Sequence, residues 1–485
     1  MVFRNTMRAP NLNRDSTYLF FGNVAVALLG LITGLLVINN LDIISYGKWV
    51  ILLDATLTLG SFVDFGMPNT IVRYWDGKSN SLTCLIESCQ KIQRNILFLI
   101  MVIPSFMMVF IFNNYASYLI PWIFLLFGSS MNYLLGSYRI GLRLMGEARE
   151  ESLSLLLDRI FMIICLLGAI YVGPSLINLS IAYFISMNIS FFYIRWRFFS
   201  QQIPHEPSSN IAEISTRSII YDAFPFALTL LVIPMIGRID KFILVYFEGY
   251  EAVSIFNVAW LVIMTGLLVP ISVRQSAIAV FGGVKSSKIN INRIIYDSRG
   301  IVSTLLIIGI PSCIIISQVA FTYLFPEDMV NSKKFEYSGI TLVIFLLPSW
   351  IWAMLGCVEL ESLKMHNSSW KFSAPLLFSL LINTLASFLL IPRYDLLGAT
   401  ISTGLTFFIT FLISSYISES YKLYFSLFIR KLIFGILFSI ILYFMGGDIN
   451  IKTYEELFIM YTPLFLITYI LILPDILYIF KKNIT

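Results

Sequence analysis

Residues 61–75 read SFVDFGMPNTIVRYW and end a long apolar run. Asp64, Gly66 and Pro68 stand close together there, and Arg73 and two aromatic residues follow. Glycine lets a chain leave helical geometry, and proline disfavours simple continuation of a helix. The pattern is compatible with a turn in a soluble domain or with a membrane helix that leaves the bilayer. The rest of the chain decides between them.

The composition favours a membrane protein. Of the 485 residues, 58% are hydrophobic and only 13% are charged, whereas an average soluble domain is roughly 25% charged. Such a chain has too few polar groups to cover a water-exposed surface, so much of its surface must face lipid. A span needs about 20 apolar residues, and a dozen or more spans fit this length. The net charge of +5 gives no indication of a nucleic-acid partner.

Metal, cofactor and disulfide chemistry is not indicated. There are two histidines and five cysteines, and no two cysteines form a C-x-x-C pair. There is also no G-x-x-x-x-G-K-[ST] motif that would bind a nucleotide. The basic residues before the first apolar run resemble the start of a signal peptide, but the run is too long and no A-x-A site follows it. We expect an uncleaved first span and no cofactor.

The apolar runs predict about fourteen transmembrane helices. The predicted spans are 17–38, 48–68, 95–113, 117–138, 153–173, 175–196, 219–245, 252–273, 300–325, 338–357, 372–391, 396–417, 431–446 and 456–478. An even number of spans places both termini on one side of the membrane.

The distribution of basic residues indicates which side that is. Of the 33 lysines and arginines, 25 lie in segments on the side of the termini, 7 lie on the opposite side, and Arg159 lies inside a span. Cytoplasmic loops carry an excess of lysine and arginine. We therefore predict that both termini are cytoplasmic. On this topology Asp64 to Pro68 form the cytoplasmic end of the second span, and Arg73 anchors it.

The order of the spans predicts the domain organisation. The polar stretch QQIPHEPSSN (201–210) contains two prolines and is typical of a linker. We predict a six-helix bundle over 1–200, a cytoplasmic linker over 201–218, a second six-helix bundle over 219–420, and two additional transmembrane helices over 421–485. The predicted fold class is an all-α polytopic membrane protein.

Two segments resemble Wzx-type polysaccharide flippases. Residues 44–75, ISYGKWVILLDATLTLGSFVDFGMPNTIVRYW, resemble the second-span region of that family, with a Tyr-Gly pair, a long apolar helix and a glycine-containing exit before a basic residue. Residues 238–260, RIDKFILVYFEGYEAVSIFNVAW, resemble its span 7–8 region. The resemblance implies the fold of the multidrug/oligosaccharidyl-lipid/polysaccharide (MOP) superfamily, in which two six-helix bundles rock around a central cavity.

The resemblance also implies a function. Such a protein is a flippase rather than an enzyme. It moves an undecaprenyl-pyrophosphate-linked oligosaccharide repeat unit from the cytoplasmic to the periplasmic leaflet of the bacterial inner membrane, for O-antigen or another surface polysaccharide. Membrane lipid is a further implied partner, and a polysaccharide polymerase and a chain-length regulator are candidate protein partners.

The implied substrate directs attention to basic residues at membrane depth. A charge inside a span costs about 2.5–3.5 kcal/mol or more if it meets lipid, so such residues must face protein or water. Arg159, Arg238 and Lys241 meet this description and are our candidates for binding the anionic head group. The structural alternative is salt bridging, of Asp158 with an arginine on a neighbouring helix or of Asp240 with a nearby basic group.

A polar stripe follows the second span. Asp54, Thr58 and Ser61 are spaced i, i+4, i+7 and share one helix face, so we predict that they line the cavity. Asp54, Asp158 and Asp240 are also the candidates for coupling transport to a proton or sodium gradient. Serine and threonine stripes in membrane helices usually mark helix packing, and we read the threonines of span 12 in that way.

Two alternatives remain at this point. An ion-coupled multidrug exporter of the same superfamily would favour an acidic pocket for cationic drugs, whereas the basic residues within spans 5 and 7 match or outnumber the acids. A multi-spanning polysaccharide polymerase would need a large outer loop with catalytic side chains. The predicted outer loops are short and contain no histidine.

Overall fold

A computed structural model describes residues 12–75, 79–110, 118–201, 216–266, 317–330, 339–363 and 370–418, together with 313, 334 and 335. Every regular element in these ranges is a helix. The helices that precede the predicted linker are α1 Leu12–Ile38, α2 Ile43–Asp64, α3 Met67–Tyr74, α4 Ser79–Phe110, α5 Leu119–Leu144, α6 Ala148–Val172 and α7 Leu176–Ser200. The helices that follow it are α8 Thr216–Ile236, α9 Ile239–Glu248, α10 Tyr250–Gly266, α11 Glu327–Val330, α12 Ile340–Ser362 and α13 Trp370–Ile417.

Seven helices among the described residues are long and apolar enough to cross a membrane. Most predicted spans coincide with a helix, but α4 begins at Ser79, well before the predicted start at residue 95. Its first turns are amphipathic, with Leu82, Ile86 and Cys89 buried, and a search for apolar runs passes over such a segment. The predicted spans at 431–446 and 456–478, and most of 300–325, lie outside the described residues.

Residues 61–75 leave the second span through two left-handed residues. Helix α2 ends at Asp64, and Phe65 and Gly66 have φ angles of 47° and 71°. Pro68 then lies in the first turn of α3, where its missing N–H costs little. The predicted end of the helix is confirmed, but the chain turns at once into a second short helix rather than into a loop.

One predicted helix arrangement is wrong in detail, and another is confirmed. The predicted span 219–245 is two helices, because the chain turns at Gly237 and Arg238 between α8 and α9. The predicted spans at 372–391 and 396–417 are confirmed as two helical segments, because non-helical backbone at Asp395, where φ is 47°, interrupts α13. Arg393 and Asp395 mark that gap in the sequence, whereas the charged residues after Gly237 were taken as part of one continuous span.

The helices pack in two groups. α1–α7 pack mainly on one another, as do α8–α13, and α2 makes the most extensive contacts between the groups, against α8 and α10. Asp42 caps α2 by accepting a hydrogen bond of 3.1 Å from the Ser45 amide, and bonding to Ser45 lowers the pKa of this carboxyl. The largest apolar core lies where both groups meet and includes Trp49, Phe256 and Trp350.

Candidate functional site

The polar stripe of α2 lies at the boundary between the two groups. Asp54 and Thr58 are both 8% exposed and face α8 and α9. Thr58 donates to the backbone oxygen of Asp54 at 2.7 Å, and Ser61 donates to that of Thr58 at 2.6 Å. Asp54 and Thr58 therefore contact the second group, whereas Ser61 bonds within its own helix.

Arg238 and Lys241 converge on the Asp54 carboxylate. Arg238 Nε lies 3.0 Å from Oδ1, and Lys241 Nζ lies 2.8 Å from Oδ2. Arg238 also donates to Thr58 Oγ1 at 3.2 Å. The break between α8 and α9 places Arg238 at the N-cap of α9, one turn before Lys241. One carboxylate of the first group thus holds two cations of the second.

Asn257 and Tyr46 complete this cluster and were not predicted from the sequence. Asn257 on α10 accepts a hydrogen bond of 2.6 Å from Lys241 Nζ and donates one of 2.7 Å to the Tyr46 hydroxyl on α2. The presence of an asparagine within an apolar span could have indicated this contact, because a polar group buried there needs a hydrogen-bond partner. Nothing in the spacing of Tyr46 indicates its contact.

Arg159 lies near the same boundary. Its side chain on α6 is half-buried and makes no ion pair with any residue that the structure describes. Arg159, Arg238 and also Asp158 lie close enough to the Tyr183 hydroxyl for their charges to act on it, and Arg238 also lies beside Tyr133. The structure thus brings Arg159 and Arg238 to the surroundings of one tyrosine.

Asp158 has a separate set of partners. Arg139 on α5 forms a salt bridge with its carboxylate, and Arg139 Nε also donates to Ser154 at 3.2 Å. All of these residues belong to the first group of helices. The structure therefore contains the predicted salt bridge between Asp158 and an arginine on a neighbouring helix.

Asp240 has a different set of partners from Asp54. Its carboxylate is buried, with the residue 1% exposed, and the hydroxyls of Ser387, Ser402 and Thr403 on α13 lie within hydrogen-bond distance. Asp240 forms no salt bridge in the described part of the chain, so the expected pairing with a basic group is not found. An oxygen-rich pocket of this kind suits a proton or a hard cation.

Of the threonines of the predicted span 12, Thr406 and Thr410 have packing contacts, whereas Thr403 bonds the Asp240 carboxylate. Thr406 donates to the backbone oxygen of Ser402 at 2.8 Å, and Thr410 donates to Ser379 at 2.9 Å. Both threonines are buried. The described residues also contain no cluster of three or more histidines, cysteines or acids that could hold a metal ion.

The two groups touch at both ends of the boundary. Near the start of α2, Ser254 donates to the backbone oxygen of Ile43, and Gly47 lies so close to α10 that an added Cβ would stand 2.1 Å from the Tyr250 carbonyl oxygen. We call this the Tyr250 contact. At the other end, the Tyr74 hydroxyl on α3 bonds Asp222 at 2.5 Å and Ser218 at 2.8 Å on α8.

We call the bonds of the Tyr74 hydroxyl to Asp222 and Ser218 the Tyr74 contact. The Asp54 cluster lies between the two contacts, since Asp54 is near the middle of α2. Two cations share one carboxylate there, and Arg159 adds a third positive charge nearby. The Asp54 cluster itself thus holds two positive charges against one negative charge.

Comparison with known proteins identifies the fold. A family described as Polysaccharide biosynthesis protein matches residues 12–278. A structure titled Lipid II flippase MurJ, inward closed conformation, is 15% identical, with a TM-score of 0.70 over 98% of this chain and 100% of that one. A search of curated proteins gave no match.

Two further structures share the fold. An outward-facing multidrug resistance MATE transporter of the MOP superfamily is 15% identical, with a TM-score of 0.59 over 89% of this chain and 96% of that one. A MOP superfamily transporter from Pyrococcus furiosus, whose title describes a binding pocket of reverse polarity, is 15% identical, with a TM-score of 0.58 over 85% and 96%. The chain is thus an all-α, multi-pass membrane protein. These titles name a flippase and transporters rather than enzymes, as the sequence predicted.

Proposed function

Because the chain belongs to the polysaccharide biosynthesis protein family, we propose that it is a flippase for undecaprenyl-pyrophosphate-linked oligosaccharide repeat units. It moves them from the cytoplasmic to the periplasmic leaflet of a bacterial inner membrane, where they are assembled into O-antigen or another surface polysaccharide. The family and the flippase fold support the class of transporter. The chemistry of the Asp54 cluster supports the anionic head group.

One observation carries the proposal. Arg238 and Lys241 both bind Asp54, a carboxylate that belongs to the other group of helices. A pyrophosphate carries about two negative charges and accepts several hydrogen bonds, so it can replace Asp54 as the partner of these cations. Buried ion pairs gain little net stability over apolar packing, and a pair that forms across a moving boundary is well suited to exchange partners.

The proposed topology has fourteen transmembrane helices with both termini in the cytoplasm. It consists of six-helix bundles over 1–200 and 219–420, the cytoplasmic linker over 201–218, and two additional helices over 421–485. The excess of basic residues on the side of the termini supports this orientation. On this topology the Tyr250 contact closes the periplasmic end of the boundary, and the Tyr74 contact closes the cytoplasmic end.

Transport then proceeds by alternating access. When the Tyr74 contact opens, Arg159 attracts the pyrophosphate or an acidic sugar from the cytoplasmic side. Arg238 and Lys241 receive it deeper in the gap as Asp54 withdraws, and opening of the Tyr250 contact releases it outward. Two negative charges that leave a negative-inside cell gain about 4–5 kcal/mol per 100 mV if no counter-charge accompanies them.

Asp240 is our candidate for coupling transport to a proton or a cation. Its hydroxyl partners all lie on α13, so uncharged oxygens surround it rather than a basic residue. Asp158, in contrast, is held by Arg139 and has a structural role in this proposal. Coupling at Asp240 predicts that Asp240→Asn transports at a rate that no longer depends on the ion gradient across proteoliposomes.

The second candidate function is an ion-coupled multidrug exporter, which the similarity to MATE transporters favours. A bacterial strain that lacks its own flippase distinguishes the two functions. Our proposal predicts that the wild-type chain restores surface polysaccharide, whereas an Arg238→Glu variant of equal membrane abundance does not. Resistance to cationic drugs without any restored polysaccharide, in strains with several different repeat units, would reject the flippase in favour of the exporter.

A further inference from the structure

Lys241 has a second partner besides Asp54. Its side chain is 5% exposed, and its ammonium lies 2.8 Å from Asp54 Oδ2 and 2.6 Å from Asn257 Oδ1. The asparagine oxygen is neutral. It therefore holds the ammonium in place without cancelling its charge, which a carboxylate at the same position would do.

The orientation of the Asn257 amide is fixed at both ends. A lysine ammonium can only donate hydrogen bonds, so the amide oxygen must face it. The amide nitrogen consequently faces the opposite way and donates to the Tyr46 hydroxyl at 2.7 Å. Both interactions hold the half-buried Asn257 side chain in one direction while the two groups of helices are in contact.

The four residues belong to two different groups of helices. Asp54 and Tyr46 are on α2, whereas Lys241 and Asn257 are on α9 and α10. Separation of α2 from α9 and α10 breaks the bond between Lys241 and Asp54 and the bond between Asn257 and Tyr46. The bond between Asn257 and Lys241 lies within one group, so it persists.

We infer that Asn257 is a positioning residue for the substrate, which keeps the Lys241 ammonium directed into the gap after Asp54 has withdrawn. This inference rests on the proposed function, because the ligand that then binds Lys241 is the pyrophosphate of the lipid carrier. The neutral side chain is the essential property, since it leaves the full charge of Lys241 to the ligand.

Asn257→Asp separates positioning from a structural role. The carboxylate is nearly the same size and still accepts a hydrogen bond from Lys241, so a structural role predicts unchanged stability and binding. A positioning role predicts an unchanged unfolding temperature but affinity for undecaprenyl pyrophosphate at least about tenfold lower. The measurement is a binding titration of the purified full chain in detergent, with undecaprenol, which lacks the pyrophosphate, as the control ligand.

Two further variants keep the test decisive. Asn257→Ser shortens the side chain beyond reach of Lys241 and should also weaken binding. If Asn257→Asp does not fold, the affinity of Asn257→Ser for undecaprenyl pyrophosphate decides between a positioning role and a structural one. Tyr46→Phe removes only the contact with α2 and should change affinity less than about threefold. Wild-type affinity in Asn257→Asp, or in Asn257→Ser, would overturn the positioning role alone. A wild-type chain that does not bind undecaprenyl pyrophosphate would overturn the proposed function with it.

Discussion

Two clusters of buried charge look alike in the sequence and differ in the structure. Asp158 and Arg139 lie on adjacent helices of the same group and are 11% and 13% exposed in their side chains. Asp54, Arg238 and Lys241 are similarly buried, but they join α2 to the second group. In the alternating-access mechanism that we propose, the first cluster keeps its partners when the two groups separate, and the second cannot.

This difference separates stability from transport. An ion pair within one group is present in every state of the transport cycle, so its loss destabilises the protein throughout. An ion pair across the boundary is present only while the groups are in contact, so its loss changes the balance between states. Each prediction below tests whether this distinction holds.

The largest effect on stability is expected for Arg139→Ala. This substitution leaves the Asp158 carboxylate buried without its partner, which costs about 3–5 kcal/mol. We expect a strong decrease in membrane abundance and in the unfolding temperature of the purified protein. Arg139→Gln combined with Asp158→Asn removes both charges and should restore both quantities. Normal abundance of Arg139→Ala together with lost transport would contradict the assignment of this ion pair to stability rather than to transport.

Gly47→Ala should weaken only the contact between the groups. The added Cβ would lie 2.1 Å from the Tyr250 carbonyl oxygen, so α2 and α10 must move apart. The test uses a chain whose native cysteines have been removed and in which Ser254 is replaced by cysteine. Adding Gly47→Ala should make this cysteine react about 10-fold faster with a water-soluble thiol reagent, which corresponds to about 1.4 kcal/mol. Gly168→Ala is the matched control, because nothing lies within 4 Å of its added Cβ. Equal labelling in both variants would show that the boundary accommodates the methyl group.

Asp54→Asn should reduce transport without a loss of protein. The amide preserves the shape but removes the charge that Arg238 and Lys241 share, so the closed state is weakened. We expect surface polysaccharide to fall by about tenfold at normal membrane abundance. Thr56→Val on the same helix is the control, because Thr56 lies on another face of α2 and approaches Ser129 in the first group. Unchanged polysaccharide in Asp54→Asn would assign Asp54 to packing alone.

The smallest effect is expected at the Tyr74 contact. Tyr74→Phe removes the hydroxyl that bonds Asp222 and Ser218, and a hydrogen bond contributes about 0.5–1.5 kcal/mol net. Flipping rates in proteoliposomes should therefore change less than about tenfold. Tyr221→Phe on α8 is the matched control, since Tyr221 is 81% exposed. Abolished transport in Tyr74→Phe would contradict this expectation, because the Tyr74 contact would then do more than close one end of the boundary between the two groups.

Much of the fold could be predicted because lipid imposes a simple rule on sequence. A helix that faces hydrocarbon must be apolar, and Gly66 and Pro68 mark an exit because few residues suit that geometry. The gap between the predicted spans at 372–391 and 396–417 coincides with the interruption at Asp395. The break at Gly237 was not predicted, because a few charged residues within a long apolar run do not by themselves distinguish a break from a continuous span.

The site was predicted less completely for a related reason. Burial cost identifies Asp54, Arg238 and Lys241 as residues that need partners, but it does not say which residue binds which. The pairing of Asp54 with residues more than 180 positions away in sequence depends on how α2 packs against α9. Asn257 has no charge, so the cost of burying it gave only a weak signal.

The central claim is that cations at the boundary, through their charge, carry the anionic head group across. The most direct measurement is surface polysaccharide in a flippase-deficient strain that expresses Arg159→Ala, Arg238→Ala or Lys241→Ala, with membrane abundance measured by immunoblot. We predict that Arg238→Ala and Lys241→Ala lose most polysaccharide, that Arg159→Ala loses part of it, and that Arg238→Lys retains much of it. If all three alanine variants reach normal abundance and restore polysaccharide to the wild-type level, the cationic mechanism is wrong.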